Sequence, residues 1–357
     1  MKNVILITDV NFWEKCSGNR ARIEALISYI AKHVKLTVVN TGPAPKHMQT
    51  YLADRYQAEF IILECDRILN STAYIRRLRS VIKNRSFDSI IIEYVHSSYF
   101  LNCFPENVRM ILDAHDIVSE RARQFAAFNY QGVLYEMNEE DEYRLFQCYD
   151  HVMVLSSNDQ TIVSGVLGPE RTILSPHPVV TTPKKLRNAV SNITFIASSY
   201  LPNVDGISFF IENCWPAIRS KYDVTLNVIG TVCEKLQSPP EKNIMIKGFA
   251  ANLNDVYADA DIIINPVRFG AGLKIKNIEA LGNGLPLVTT SHSASGLGKI
   301  PADIIKIADQ PEEFVNAVVQ LIDNYELRKS QGAAAYRFIR QNFSEEVCFS
   351  GLLHIIA

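Results

Sequence analysis

Between Pro266 and Glu279 the chain reads PVRFGAGLKIKNIE, with Gly270 and Gly272 on either side of Ala271, then Leu273, Lys274 and, five residues later, Glu279. Glycines here let the backbone come close to a ligand. If a helix follows, its unpaired N–H groups converge and its dipole adds positive potential, which makes an anion site, phosphate above all. Lys274 places a cation in the expected first turn, the wrong sign for the helix but the right one for a bound anion. Glu279, about one and a half turns on, is placed to accept hydrogen bonds from a sugar diol. The same residues also make an ordinary βαβ crossover with a solvated Lys274 and a Glu279–Lys276 pair. The stretch alone leaves both readings open.

A second group is Asp113-Ala114-His115-Asp116, at the end of an apolar run from Met110. Histidine donates or accepts a proton near neutral pH, and a strand's carboxyl end is where open α/β sheets place ligands. His115 is therefore a candidate functional residue, with Asp116 capping or orienting. A helix N-cap by Asp113 or Asp116 is the plainer reading. Gly18-Asn19-Arg20 follows the first strand, so it too lies where a ligand could be touched, or serves as a turn and cap.

These residues need strands and helices to hold them. Val4–Thr8 reads as a buried strand, 20–32 as a helix with Ile23, Leu26, Ile27 and Ile30 on one face, and Leu36–Asn40 as the next strand. Strands follow at Phe60–Leu63, Ile90–Tyr94, Met110–Leu112, Val152–Leu155 and Ile173–Leu174, with helices over 72–83 and 118–149. His177, between Pro176 and Pro178, belongs to no regular element. The segment 181–191, with Pro183, Lys184, Lys185 and Arg187 and no large apolar run, is the linker candidate.

The pattern then restarts. Strands are expected at Ile193–Ile196, Leu226–Ile229, Ile244–Lys247, Ile262–Ile264, Leu285–Val288 and Ile304–Ile307. A helix from Gly206 carries Phe209, Phe210 and Trp215; others cover 253–258, 273–281, 311–322 and 327–343, and a last one is capped at Ser344. Such alternation predicts an α/β fold with parallel sheets.

A length of 357 residues favours two domains, and 47% hydrophobic with 21% charged residues is ordinary for a globular chain. A net charge of −2 argues against a nucleic-acid binder that relies on bulk charge. The seven cysteines are scattered without a C-x-x-C, suggesting neither a disulfide framework nor a zinc site and fitting a reducing cytoplasm. No signal peptide is read at the start, and no run approaches the roughly 20 apolar residues of a spanning helix. The helix over 72–83 is basic: Arg76, Arg77, Arg79, Lys83 and Arg85 form either a solvated face or a docking face for anionic lipid headgroups.

In this order the motifs resemble those of the retaining GT-B glycosyltransferases of family four, sugar-nucleotide-dependent enzymes that build glycans and glycolipids. The strongest match is P-x-x-x-G-x-G-L-K-x-K-x-x-E-A-L-x-x-G-x-P-L-V-T-T from Pro266. Gly18-Asn19-Arg20, Leu112–Asp116, Val152–Ser157, Pro202-Asn203 with Trp215-Pro216, and Tyr257–Asp261 support it. The resemblance implies two Rossmann-like, doubly wound domains facing across a cleft. Residues 1–180 would form the acceptor domain, 181–191 the linker, 192–343 the donor-nucleotide domain, and 344–357 a helix returning to the first domain.

It further implies that Glu279 binds the donor ribose, and that Lys274, Arg268 and the Gly270, Ala271, Gly272 and Leu273 backbone hold the diphosphate and sugar. Gly248 and Phe249 would lie near the base, Ser198 and Ser199 near the diphosphate, and Gly18 beside the reaction centre. His115 would reach the donor sugar. Two departures stand out. Ala271 occupies the place where many relatives carry a glutamate, and the loop Ser198–Asn203 lacks their basic pair. No metal-binding D-x-D motif is present, so metal-independent, front-face transfer to a hydroxyl acceptor is expected, with His115 and Lys274 catalytic and no cofactor beyond the nucleotide-diphosphate sugar. A nucleotide-sugar-binding scaffold without transfer and a sugar-nucleotide epimerase are the rival readings. The expected location is cytoplasmic, with peripheral contact at the inner face of the membrane.

Overall fold

A computed structural model of the chain describes residues 1–14, 18–63, 71–131, 135–236 and 242–357. Part of the loop after the first strand, and the cysteines at 16 and 65, lie outside them. The chain forms two compact units, Met1–Pro178 with Glu345–Ala357 (unit 1) and Val179–Ser344 (unit 2).

Unit 1 holds strands β1 (Asn3–Thr8), β2 (Lys35–Asn40), β3 (Glu59–Ile62), β4 (Ser89–Glu93), β5 (Arg109–Asp113), β6 (His151–Val154) and β7 (Thr172–Leu174). They form one parallel sheet in the order β3-β2-β1-β4-β5-β6-β7. Val4–Ile7 and Ile90–Ile92 are fully buried, which is why these strands read as unbroken apolar runs: a parallel sheet is covered on both faces. The covering helices are α1 (Gly18–Ile30), α2 (Met48–Tyr56), α3 (Ser71–Ile82), α4 (Val118–Ala127), α5 (Glu139–Gln147) and α6 (Ser157–Leu167).

Unit 2 repeats the plan with β8 (Asn192–Ile196), β9 (Thr225–Ile229), β10 (Ile244–Gly248), β11 (Ile262–Asn265), β12 (Leu287–Thr289) and β13 (Lys306–Ile307). Its order is β10-β9-β8-β11-β12-β13, again parallel. Helices α7 (Leu201–Asn213), α8 (Trp215–Arg219), α9 (Leu253–Asp259), α10 (Ile275–Gly282), α11 (Ser291–Ala294), α12 (Pro311–Asp323) and α13 (Tyr325–Asn342) surround it. After them α14 (Glu345–Ile356) joins unit 1, where Phe349, Leu352 and Ile356 are buried. Each sheet reverses strand order once, between β1 and β4 and between β8 and β11. Those are the points at which doubly wound sheets open a crevice at the strands' carboxyl ends.

Three expectations are corrected. The segment 181–191 is not a free linker but lies on unit 2: Lys184 donates its backbone N–H to Asn283 O (2.9 Å), and Arg187 Nε donates to Asp261 (2.7 Å). Helix 118–149 is two helices, because Asn138 caps a fresh start by accepting from Asp141 N (2.8 Å). Trp215 stands in its own short helix, after Cys214 breaks from the end of α7.

Candidate active site

In unit 2 the loop after β11 is built glycine by glycine. Gly270 and Gly272 have φ of 102° and 72°, in the left-handed region that side chains disfavour. The loop runs two residues further than the pattern suggested, and α10 begins at Ile275. Lys274, with φ −84° and ψ 88°, is the residue before α10 and not part of its first turn. The reason lies in its side chain: Nζ donates to Ala271 O (3.0 Å) and Gly272 O (3.1 Å), with Gly270 O at 3.4 Å. Lys274 thus closes the loop onto itself. α10 is held at the end of β11 by a buried amide pair, Asn265 Nδ2 donating to Asn277 Oδ1 (2.7 Å), while Asn277 Nδ2 donates to Ser293 O (3.0 Å).

Glu279 does not pair with Lys276. It accepts from the Tyr257 hydroxyl (2.7 Å), and burial raises its carboxyl pKa against the pull of Tyr257 and Lys276. Lys276 Nζ donates instead to Asn203 Oδ1 (2.6 Å) and lies 4.7 Å from the Phe195 ring centroid. Asn203 Nδ2 donates in turn to Ser198 O (3.1 Å), and Ser199 N–H to Thr231 Oγ1 (2.9 Å). Ser198, Ser199 and the glycine loop therefore meet at the point where this sheet reverses order.

Arg268 departs from expectation. Its guanidinium grips Asp205 from two nitrogens (2.8–3.1 Å) and lies 4.5 Å from the Phe209 ring centroid, so its charge is already matched. Gly248 and Phe249 stand at the end of the edge strand β10, two strands from β8 and three from β11. Gly248 has φ 71°, Phe249 is 59% exposed, and a cavity of about 210 Å³, lined by Thr194, Asn227, Gly248 and Asp255 among others, opens beside them.

In unit 1 the ends of β4 and β5, together with α1, carry a buried charge cluster. His115 Nε2 bonds Glu93 Oε2, and Arg22 Nη2 lies 3.1 Å from Asp113 Oδ2, with both of those side chains fully buried. Arg22 also donates to Ser175 Oγ (3.1 Å) and packs on Phe349, its guanidinium carbon 4.9 Å from the ring centroid. Burial pushes the Glu93 carboxyl up to about 7, and the Asp113 charge adds to that. Burial works against a charged His115, but Asp113 and Glu93 outweigh it and raise the imidazole above its ordinary value. The imidazole stacks on Tyr94 (centroids 4.1 Å, 12° between planes), and the Tyr94 hydroxyl accepts from Asn19 Nδ2 (3.0 Å). Gly18, the first residue of α1, is thereby linked to His115 through its neighbour.

Tyr94 and His115 both sit at positive φ, 64° and 61°, on neighbouring strand ends. Such backbone strain persists only where the surroundings enforce it, and it gathers at functional sites. Glu93, Asp113 and His115 offer ligand atoms within 4.8 Å of one another, the residue types of a metal centre. Arg22 places a positive charge against that set. Asp116 neither caps α4 nor reaches His115; it pairs with Arg121 (2.6–2.7 Å). The cap comes from α5, whose Glu142 accepts from Val118 N–H (2.7 Å) and Ser119 N–H (2.8 Å).

Glu93, Arg22 and Tyr94 were not singled out in the sequence, and Lys276 entered only as a partner for Glu279. Glu93 follows a run of isoleucines, where an acid has to be at a strand's end. Arg22 shares the buried face of α1 with Leu26 and Tyr29, and that spacing was its signal. Of the basic set on and just after α3, Arg79 donates to Asn102 O (2.6 Å) and Arg85 pairs with Glu59, and Arg76, Arg77, Arg79, Lys83 and Arg85 are all exposed. No helix among the described residues is long and apolar enough to cross a membrane.

A family model described as Glycosyl transferases group 1 matches residues 191–324, most of unit 2. A curated relative, an uncharacterized 44.6 kDa protein in the cps region of Klebsiella pneumoniae, is 24% identical over 302 residues, covering 77% of this chain and 76% of its own. Among solved structures, TarM superposes with a TM-score of 0.76 at 9% identity over 100% of this chain and 99% of that one. Sucrose-phosphate synthase from Thermosynechococcus elongatus gives 0.75 at 12% identity, covering 99% and 98%. Anabaena Alr3699/HepE, solved with UDP and glucose, gives 0.70 at 12% identity, covering 99% of each chain. The fold is that of the GT-B glycosyltransferases.

Proposed function

We propose that this protein is a glycosyltransferase that moves a sugar from a nucleotide-diphosphate donor to a hydroxyl acceptor of a glycan or glycolipid, with retention at the anomeric carbon. One observation carries the reading: the loop Gly270–Lys274 opens onto α10 at the order reversal of unit 2, with Glu279 one and a half turns along, in the segment that matches the group 1 family. In this reading Glu279 accepts from the ribose hydroxyls, and the N–H groups of Gly272 and Leu273 face the diphosphate. Lys274 keeps those N–H groups aligned and adds positive potential where negative charge grows as the glycosidic bond breaks. His115 holds the donor sugar. No carboxylate stands in the loop to act as a nucleophile, so the departing phosphate takes the acceptor's proton. The solved neighbour HepE, recorded with UDP and glucose, supports a nucleotide-sugar donor.

The test is a panel of nucleotide sugars with hydroxyl acceptors, the product followed by NMR. Acceptor-dependent formation of an anomerically retained glycoside is expected. Release of nucleotide and altered sugar without an acceptor would point to an epimerase, and binding without turnover to a scaffold.

A further inference from the structure

We propose that Lys276 is the cation that meets the donor's diphosphate, an assignment that rests on the reading above. Lys274, the cation nearer the glycines, directs its ammonium onto the carbonyls of Gly270, Ala271 and Gly272, so it shapes the loop. Lys276 lies in the first turn of α10 and is partly exposed. Its Nζ donates to a neutral amide oxygen, Asn203 Oδ1 at 2.6 Å, and sits over the Phe195 ring at 4.7 Å. Among the described residues no carboxylate pairs with it, and the nearest acid on its helix, Glu279, is engaged by Tyr257.

An ammonium held by an amide and a ring, and only partly in water, is a charge without a match; an arriving diphosphate supplies one. The position fits as well. Asn203 ties Lys276 to the loop Ser198–Asn203, which itself carries no lysine or arginine. Lys276 brings a positive charge to that loop from the neighbouring helix.

Burial, and then the charge of Lys274, hold the Lys276 ammonium down to about 7. The charged groups acting on it are Lys274 and Glu279. Asn203 of α7 and Phe195 of β8 bring no charge, and Tyr257 of α9 reaches Glu279. A bound diphosphate favours the protonated form. Above neutral pH, binding therefore draws a proton onto the complex, and affinity falls as pH rises.

Isothermal titration calorimetry tests this with UDP, GDP, ADP and dTDP, each alone, on the full chain at pH 7, 8 and 9, in two buffers of different ionisation heat. Wild type should take up a proton on binding at pH 8. Lys276→Met should abolish that uptake and weaken binding about tenfold or more, the loss expected for a charged hydrogen bond. Lys276→Arg should bind with no such pH dependence. Thermal melting without nucleotide checks that Lys276→Met folds, and its midpoint should hold or rise, because an unmatched charge is removed. Absence of uptake in wild type, a measurement that needs no variant, or undiminished affinity in Lys276→Met overturns the assignment and leaves the donor-binding reading standing. If none of the four nucleotides binds wild type, the donor-binding reading itself fails.

Discussion

A proton is the hinge of the unit 1 cluster. With His115 protonated, the buried set holds two positive groups, His115 and Arg22, against two carboxylates, Glu93 and Asp113. Without that proton it carries an uncompensated negative charge, which is costly away from water. Both titrating groups bind protons more tightly folded than unfolded, Glu93 near 7 against an ordinary 4.5 and His115 above an ordinary 6.5. Their contribution to stability is complete at acid pH and is lost as pH rises through those folded values. The midpoint of thermal unfolding should therefore decline between pH 5 and 8, and Glu93→Gln should flatten that decline. If Glu93 also positions His115, Glu93→Gln should lower kcat with KM nearly unchanged. His115→Ala should cost about a hundredfold or more, as loss of a group that stabilises the transition state does. An unaltered pH profile in Glu93→Gln would remove Glu93 from that role.

At the scale of elements, the capping of α4 shows why some of the site was hard to see in the sequence. Asp113 and Asp116 precede that helix and have the type of an N-cap, yet one faces Arg22 and the other grips Arg121. The N–H groups of Val118 and Ser119 go to Glu142, 24 and 23 residues away. Local pattern names residue types suited to a role, but a long-range partner decides which of them fills it. Glu142→Ala leaves one buried and one partly buried donor unpaired and should destabilise unit 1 by about 1–3 kcal/mol in denaturant unfolding. No loss would mean that water satisfies them.

The same distinction runs through the rest of the chain. Strand runs such as Val4–Ile7 and Ile262–Ile264, and the glycine loop itself, were legible because burial on both faces and positive φ leave a compositional trace. The partners of Lys276, Arg268 and His115 were not, because Asn203, Asp205 and Glu93 are distant in sequence and carry no periodic signal. The helix α2 went unread because its apolar side amounts to Leu52 and Tyr56.

On the scale of the molecule, each unit carries one of the two tryptophans, Trp13 in unit 1 and Trp215 in unit 2. Removing 345–357 strips Phe349, Leu352 and Ile356 from unit 1, each worth roughly 1.5–3 kcal/mol when fully buried. In single-tryptophan variants, the Trp13 transition of the truncated chain should move to lower denaturant and the Trp215 transition should hardly change. Equal movement of both would show that α14 supports the two units alike.

The return of α14 also sets an order of events in synthesis. Unit 2 is an insertion: the chain enters it at Val179, leaves at Ser344, and near these two ends Val179 N–H donates to Phe343 O (2.9 Å). Domains generally fold as units, the N-terminal one first as the chain emerges. Here that sequence is reversed, because unit 1 begins first but lacks its closing helix until every residue of unit 2 has been made. For that interval the face of α1 bearing Arg22 and Tyr29 is without its cover, and a nascent unit 1 presents an open apolar groove to whatever holds unfinished chains.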